Sequence, residues 1–223
     1  MSNKRGLFWI ITGLLLVVAA LSLTGYNLLA EHRSASGAED ILRQMEAEIQ
    51  IPTTETSLSA AMPAGPEIPT QPEAPQEAEI PDFLLNPEME MPVMQLDGID
   101  YIGLLQIPAL NLTLPIASQW SYNQLLSTPC RYTGSAYTGN LVLVAHNYDS
   151  HFGRLKDLPI GEMVFFTDAD ENTFIYEVSA KETLLPTAVE EMTDGSWPLT
   201  LFTCTLGGAN RFTIRCEQVG VNY

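Results

Sequence analysis

An uncharged stretch runs from residue 6 to residue 30, and at its centre Leu14, Leu15, Leu16, Val17 and Val18 leave no polar face for water. About 20 apolar residues suffice for a helix to cross a bilayer core, so one membrane-spanning helix is expected over 6–30. The run is longer than the ~7–15 residue apolar core of a cleaved signal peptide. Leu28, Leu29, Ala30 and Glu31 also make a poor small-residue cleavage site, so the helix reads as a retained anchor. Beyond it the period changes. Ile41, Leu42 and Met45 recur at helical spacing and predict a short helix over 39–46, marginal on its own. From residue 98 short apolar and β-branched runs predict strands over 98–107, 110–116, 140–145, 163–167, 173–179, 200–204 and 211–217. Residues 168–172 read as a polar hairpin turn, and helical patches are expected over 122–126 and 151–158. Short strands separated by turn signals point to a mostly β domain, closed or sandwich-like.

Composition separates the anchor from these strands. Residues 50–95 hold nine prolines and a single aromatic residue, Phe83. No Lys or Arg stands between Arg43 and Arg131, against twelve acidic residues. Such a segment cannot bury enough apolar surface to offset the ordering of its backbone, so 31–95 reads as an extended, largely disordered acidic linker. The expected organisation is a cytoplasmic N-terminus over 1–5, the anchor over 6–30, the linker over 31–95 and a β domain over 96–223, long enough for one core. Lys4 and Arg5 precede the span, and positive flanks stay on the cytoplasmic side, which puts the β domain outside. The net charge of −17 argues against nucleic acid as a partner, because phosphate recognition needs clustered cations.

The strand over 200–204 ends in Cys204 and is followed by the turn signal Gly207-Gly208. Most free cysteines are buried and inert; what argues for a nucleophile here is the company. Leu141, Val142, Leu143, Val144 and Ala145 deliver His146 to another strand end, and Arg211 opens the strand that returns from the Cys204 turn. A thiol becomes a nucleophile when a base removes its proton. An imidazole can take that proton and return it to a leaving amine, and a guanidinium can donate to a carbonyl oxygen as negative charge develops on it. Arg215 shares a strand face with Arg211 and stands as the alternative to it. His151 is the rival of His146, and Thr203, beside the thiol, is a candidate for the wall of a substrate groove. The cysteines and histidines are too scattered for zinc spacing, so no metal is expected, and the acidic turn near Asp168 and Asp170 reads as solvated.

The run Thr200-Leu201-Phe202-Thr203-Cys204, with His146 upstream and Arg211 on the next strand, resembles the motif of the sortases, the membrane-anchored cysteine transpeptidases of Gram-positive bacteria. Further landmarks are Pro129 to Ser135, Phe152 to Gly161 and Tyr176-Glu177-Val178, so the likeness covers roughly residues 99–219. The resemblance implies a closed eight-stranded β-barrel with short helices, held at the cell membrane. It further implies that Cys204 cleaves a Leu-Pro-x-Thr-Gly-like sorting signal on a secreted protein through a thioester. His146 would act as general acid and base and Arg211 would stabilise the oxyanion or the substrate. The acyl group would pass to an amine of the cell wall or of a pilin, with no cofactor. Cys130 and Cys216 lie in an oxidising compartment where pairing stays open. The competing reading is a membrane-anchored β domain that serves as an adhesin or binding module, in which Cys204 is inert and buried.

Overall fold

Helix α1 (Asn3–Glu48) heads the computed structural model, which describes residues 3–48 and 80–223. The apolar run is therefore only the first part of a 46-residue helix, and the segment expected as a separate short helix is its last turns. Extending a formed helix needs no new nucleation, and the extension gains burial. Ala38 and Met45 are buried, and Ile41 and Leu42 are half-buried beside them. Full burial of a side chain such as Met45 contributes about 1.5–3 kcal/mol.

The linker expected over 31–95 is thus shorter than its composition suggests. At its far end Phe83, in helix α2 (Asp82–Leu85), is buried and stacks on Tyr137 with ring centroids 4.7 Å apart. Met91 is also buried, and strand β1 (Met94–Leu96) follows. The folded part begins near residue 81 rather than 96, because one aromatic and one methionine are enough to pin an otherwise polar segment. Residues 49–79, which hold most of the proline-rich run expected to be disordered, lie outside the described residues.

Nine strands form one sheet. After β1 come β2 (Ile99–Ile107), β3 (Leu112–Ala117), helix α3 (Tyr122–Leu125), β4 (Cys130–Thr133) and β5 (Leu141–Val144). Then follow β6 (Met163–Asp168), β7 (Thr173–Leu184), helix α4 (Val189–Met192), β8 (Leu199–Cys204) and β9 (Arg211–Asn222). The order is β1-β2-β3-β4-β5-β8-β9-β7-β6, and β6 returns to pair with β2, closing eight strands into a ring. At that seam Gly103 faces Asp168 with φ 149, and a Cβ there would run into the Thr167 carbonyl. Closure at this point requires glycine.

Two clusters account for the burial. Inside the ring Ile102, Leu105, Leu143, Phe166, Tyr176, Leu201 and Ile214 pack together. On its outer face Tyr101, Leu104, Ala117, Cys130, Val142, Val144 and Phe202 form a second cluster, which Met45 of α1 joins. The second cluster explains why β2 is apolar almost without alternation: it is covered on both faces. Residues 96 onward thus fold as the mostly β, closed eight-stranded arrangement that the resemblance implied.

Candidate active site

The pairing of β5, β8 and β9 decides which side chains meet. β5 and β8 run in parallel, with Leu141 opposite Leu199 and Val144 opposite Phe202. Past Val144 the ladder holds, since Ala145 N–H donates to the Phe202 carbonyl at 3.3 Å and Thr203 Oγ1 donates to the Ala145 carbonyl at 2.9 Å. Carried two residues beyond Val144, the same register sets His146 opposite Cys204. On the other side of β8, antiparallel β9 pairs Arg211 with Cys204. Three adjacent strand ends therefore present His146, Cys204 and Arg211 at one end of the ring.

Side chains two apart on a strand share a face. Cys204 thus lies on the face of Phe202, the outer one, and beyond it Gly207 and Gly208 turn the chain with φ 81 and 75. All three side chains are half-buried. His146 lies against Tyr148, ring centroids 5.0 Å apart, and burial holds its pKa below the ordinary imidazole value. The imidazole is therefore neutral at pH 7, the form that accepts a proton. One nitrogen of Arg211, Nη1, donates to the carbonyls of Gly208 and Asn210 at 3.2 Å each. Those two bonds orient the guanidinium and leave Nε and Nη2 free among the described residues.

The alternatives read from sequence fare differently. Arg215, opposite Thr200, is 2 % exposed and saturated. Its Nη1 donates to the Met192 carbonyl at 3.0 Å and to Thr200 Oγ1 at 2.9 Å, and its Nη2 donates to the Glu191 carbonyl at 2.6 Å. Glu182 completes the set at 3.4 Å. This arginine ties the connection between β7 and β8 to the sheet and has no donor to spare for a substrate. His151 is fully buried, 3.1 Å from Ser34 Oγ, and burial together with the nearby His146 pulls its pKa down to about 4. Thr203 corrects the sequence expectation, for it is buried, on the face opposite Cys204, and its hydroxyl holds the Ala145 carbonyl. It packs and anchors the β5 end; it does not line a groove.

Cys130 and Cys216 are free thiols, one in the outer cluster and one in the inner, so the sheet separates them and pairing is ruled out. Burial pushes both thiols up to about 12, which leaves Cys204 as the half-exposed thiol. The turn after β6 is internally bonded and not merely solvated. Buried Asp168 accepts from the backbone N–H of Asp170 and of Asn172 at 2.9 Å each, and from the Tyr137 hydroxyl at 2.7 Å. A cleft of about 1160 Å³ lies between α1 and the outer side of β2, β3 and β6, and none of Cys204, His146 and Arg211 lines it. These three candidate residues lie half-buried elsewhere, where β5, β8 and β9 meet.

Sequence reasoning missed two neighbours along the stretch from His146 to His151. Tyr148 was legible only as an aromatic two residues after His146. The other is α1 itself, whose Glu31 side chain accepts from the Asp149 backbone N–H at 2.9 Å across 118 residues of chain. A contact so distant in sequence leaves no local signal.

A family model described as the sortase domain matches residues 105–219. Sortase A of Bacillus anthracis is 27% identical over 139 residues, a match that spans 59% of this chain and 66% of that protein, just under two thirds of its length. Among solved structures, a Clostridium perfringens Sortase D5 transpeptidase overlaps with a TM-score of 0.48 at 20% identity, covering 54% of this chain and 80% of that one. Sortase C1 from Streptococcus suis overlaps with a TM-score of 0.47 at 26% identity, covering 54% and 73%. With the model matched over more than half of its residues, the chain belongs to the sortase family.

Proposed function

We propose that this protein is a membrane-anchored cysteine transpeptidase that cuts a Leu-Pro-x-Thr-Gly-like sorting signal and joins the new carboxyl end to an amine of the cell wall or of a pilin. The observation that carries the reading is the register that flanks half-buried Cys204 with His146 on one side and Arg211 on the other. Neutral His146 takes the Cys204 proton, and the sulfur attacks the carbonyl carbon of the scissile peptide bond. The free Arg211 donors face the oxygen as it gains charge, where such donors are worth most. Collapse breaks the C–N bond, His146 returns its proton to the leaving amine, and a thioester remains on Cys204. An incoming amine attacks that thioester and gives its extra proton to His146, and the C–S bond breaks as His146 passes that proton to the sulfur, which restores the thiol and the neutral imidazole.

The helix over Phe8–Met45 contains a window apolar enough to cross a membrane, with none of that window buried in the protein. Together with Lys4 and Arg5 it supports a cytoplasmic N-terminus and a ring outside the cell membrane, where precursor and acceptor meet. Fluorogenic Leu-Pro-x-Thr-Gly-like and Asn-Pro-x-Thr-like peptides, incubated with the protein with and without an amine acceptor and followed by mass spectrometry, test the reading. A Cys204-bound acyl group that moves to the amine is the expected result. If no peptide leaves an adduct and Cys204 also resists alkylation in the folded protein, the inert binding-module reading replaces this one.

A further inference from the structure

The strand directions sort the connections between the two ends of the ring. At the end where β5 and β8 finish lie the turns from β2 to β3, from β5 to β6 and from β8 to β9, together with the end of β7. This is the end that carries His146, Cys204 and Arg211. Helix α1 reaches the ring at the same end. Its Glu31 holds the Asp149 N–H, its Ser34 lies 3.1 Å from His151 Nε2, and from there it descends along the outer face until Met45 packs against the outer cluster.

The point of first contact is informative. Large apolar residues from Phe8 to Leu29 stay exposed, whereas Ser34, Ala38 and Met45 are buried. The change falls at Glu31, the first charged residue after the apolar run. At about 1.5 Å rise per residue, Ser34 lies only ~6 Å beyond Ala30. The headgroup layer outside the hydrocarbon core is about 5–8 Å deep on each side. A bilayer around the apolar run would set the loop that follows His146 at the depth of the headgroups, and the contacts of α1 with the ring would hold the domain near that placement.

The rim at that end suits such a neighbour. Leu206, at the tip of the turn after Cys204, is 95% exposed, and Leu185 and Ile160 are 64% and 63% exposed.

We propose that the end of the ring carrying Cys204, His146 and Arg211 is a lipid-docking surface, held against the outer leaflet by the clamp from α1 to residues 149–151 and touching it through Leu206, Leu185 and Ile160. The seat does not depend on the chemistry assigned to Cys204. If that chemistry holds, substrates that are themselves anchored in the bilayer meet the thiol at the depth where they emerge.

The test uses the full chain in phosphatidylcholine–phosphatidylglycerol vesicles. Single fluorophores are placed at Leu206→Cys, Ile160→Cys or, on the turn between β4 and β5 at the opposite end, Thr138→Cys, all in a Cys204→Ala background. Lipids carrying a headgroup quencher are expected to quench the labels at 206 and 160 severalfold more than the label at 138. Weakening the clamp with Glu31→Ala and Ser34→Ala together is expected to reduce that difference. Equal quenching at both ends, or stronger quenching at 138, overturns the proposal. Because the readout is fluorescence of a Cys204→Ala protein, it succeeds or fails independently of transpeptidation.

Discussion

Two arginines on one face of β9 make opposite use of the same side chain. Arg215, in the middle of the ladder opposite Thr200, is buried and has spent its donors on Thr200, Met192, Glu191 and Glu182. Arg211, at the ladder's end opposite Cys204, makes two backbone contacts through one nitrogen and keeps the others free among the described residues. The same guanidinium is a structural clamp where protein surrounds it, and where the sheet ends it keeps donors that the proposed function assigns to substrate. What separates the roles is whether every donor is already satisfied.

The sharpest way to break this comparison is to remove the thiol that Arg211 faces. Cys204→Ala is expected to abolish the acyl adduct and cut turnover by at least roughly a thousandfold, with thermal stability unchanged, as read by mass spectrometry and calorimetry. Next comes Arg215→Ala, which leaves the Met192 and Glu191 carbonyls and Thr200 Oγ1 without their donor; each buried polar group so stranded costs about 1–3 kcal/mol. A urea titration of the protein in detergent checks it, and kcat/KM per folded molecule is expected to change far less than in Arg211→Ala. Arg211→Ala should show the converse pattern, kcat/KM falling by about 10²–10³-fold while stability stays within about 0.5 kcal/mol. If both variants lose stability equally and activity equally, the division of labour is wrong.

The two histidines sharpen the same contrast at smaller amplitude. His151 has its pKa lowered to about 4 by burial, against an ordinary value near 6.5. Between those values the unfolded chain binds more protons than the folded one. Stability is therefore full above pH 6.5 and is lost as pH falls from about 6.5 toward 4, with a slope of at most about 1.4 kcal/mol per pH unit. Melting temperatures across that window should show the loss, and His151→Gln should flatten it. His146 is also depressed by burial, so the acid limb of kcat/KM is expected below the ordinary imidazole value. The smallest effect is reserved for Thr203→Val, which leaves the Ala145 carbonyl unpaired and should cost about 1–2 kcal/mol with the thiol still reactive.

Much of this molecule is legible in its sequence. Seven strands lie where apolar and β-branched runs predicted them, because each run is long enough to bury one face or both. β4 leaves no such signal, because Cys130, Arg131, Tyr132 and Thr133 are too few to show a period. The pattern splits α1 in two because the polar residues from Glu31 to Asp40 interrupt the apolar run, yet they continue the helix once its other face has a surface to pack on. Cys204, His146 and Arg211 stood out through their position at strand ends and through the sortase-like motif around Cys204.

Composition and local pattern by themselves determined the apolar anchor, the mostly β domain and the set of residue types able to do thiol chemistry, since each is a property of neighbours along the chain. The tertiary structure alone decided which strand lies beside which. That ordering separated Arg211 from Arg215, buried His151 and Thr203, kept Cys130 from Cys216, and brought Glu31 and Ser34 of α1 to the loop after His146. These are contacts between residues distant in sequence, set by ring closure and by the docking of α1, and no local propensity encodes them.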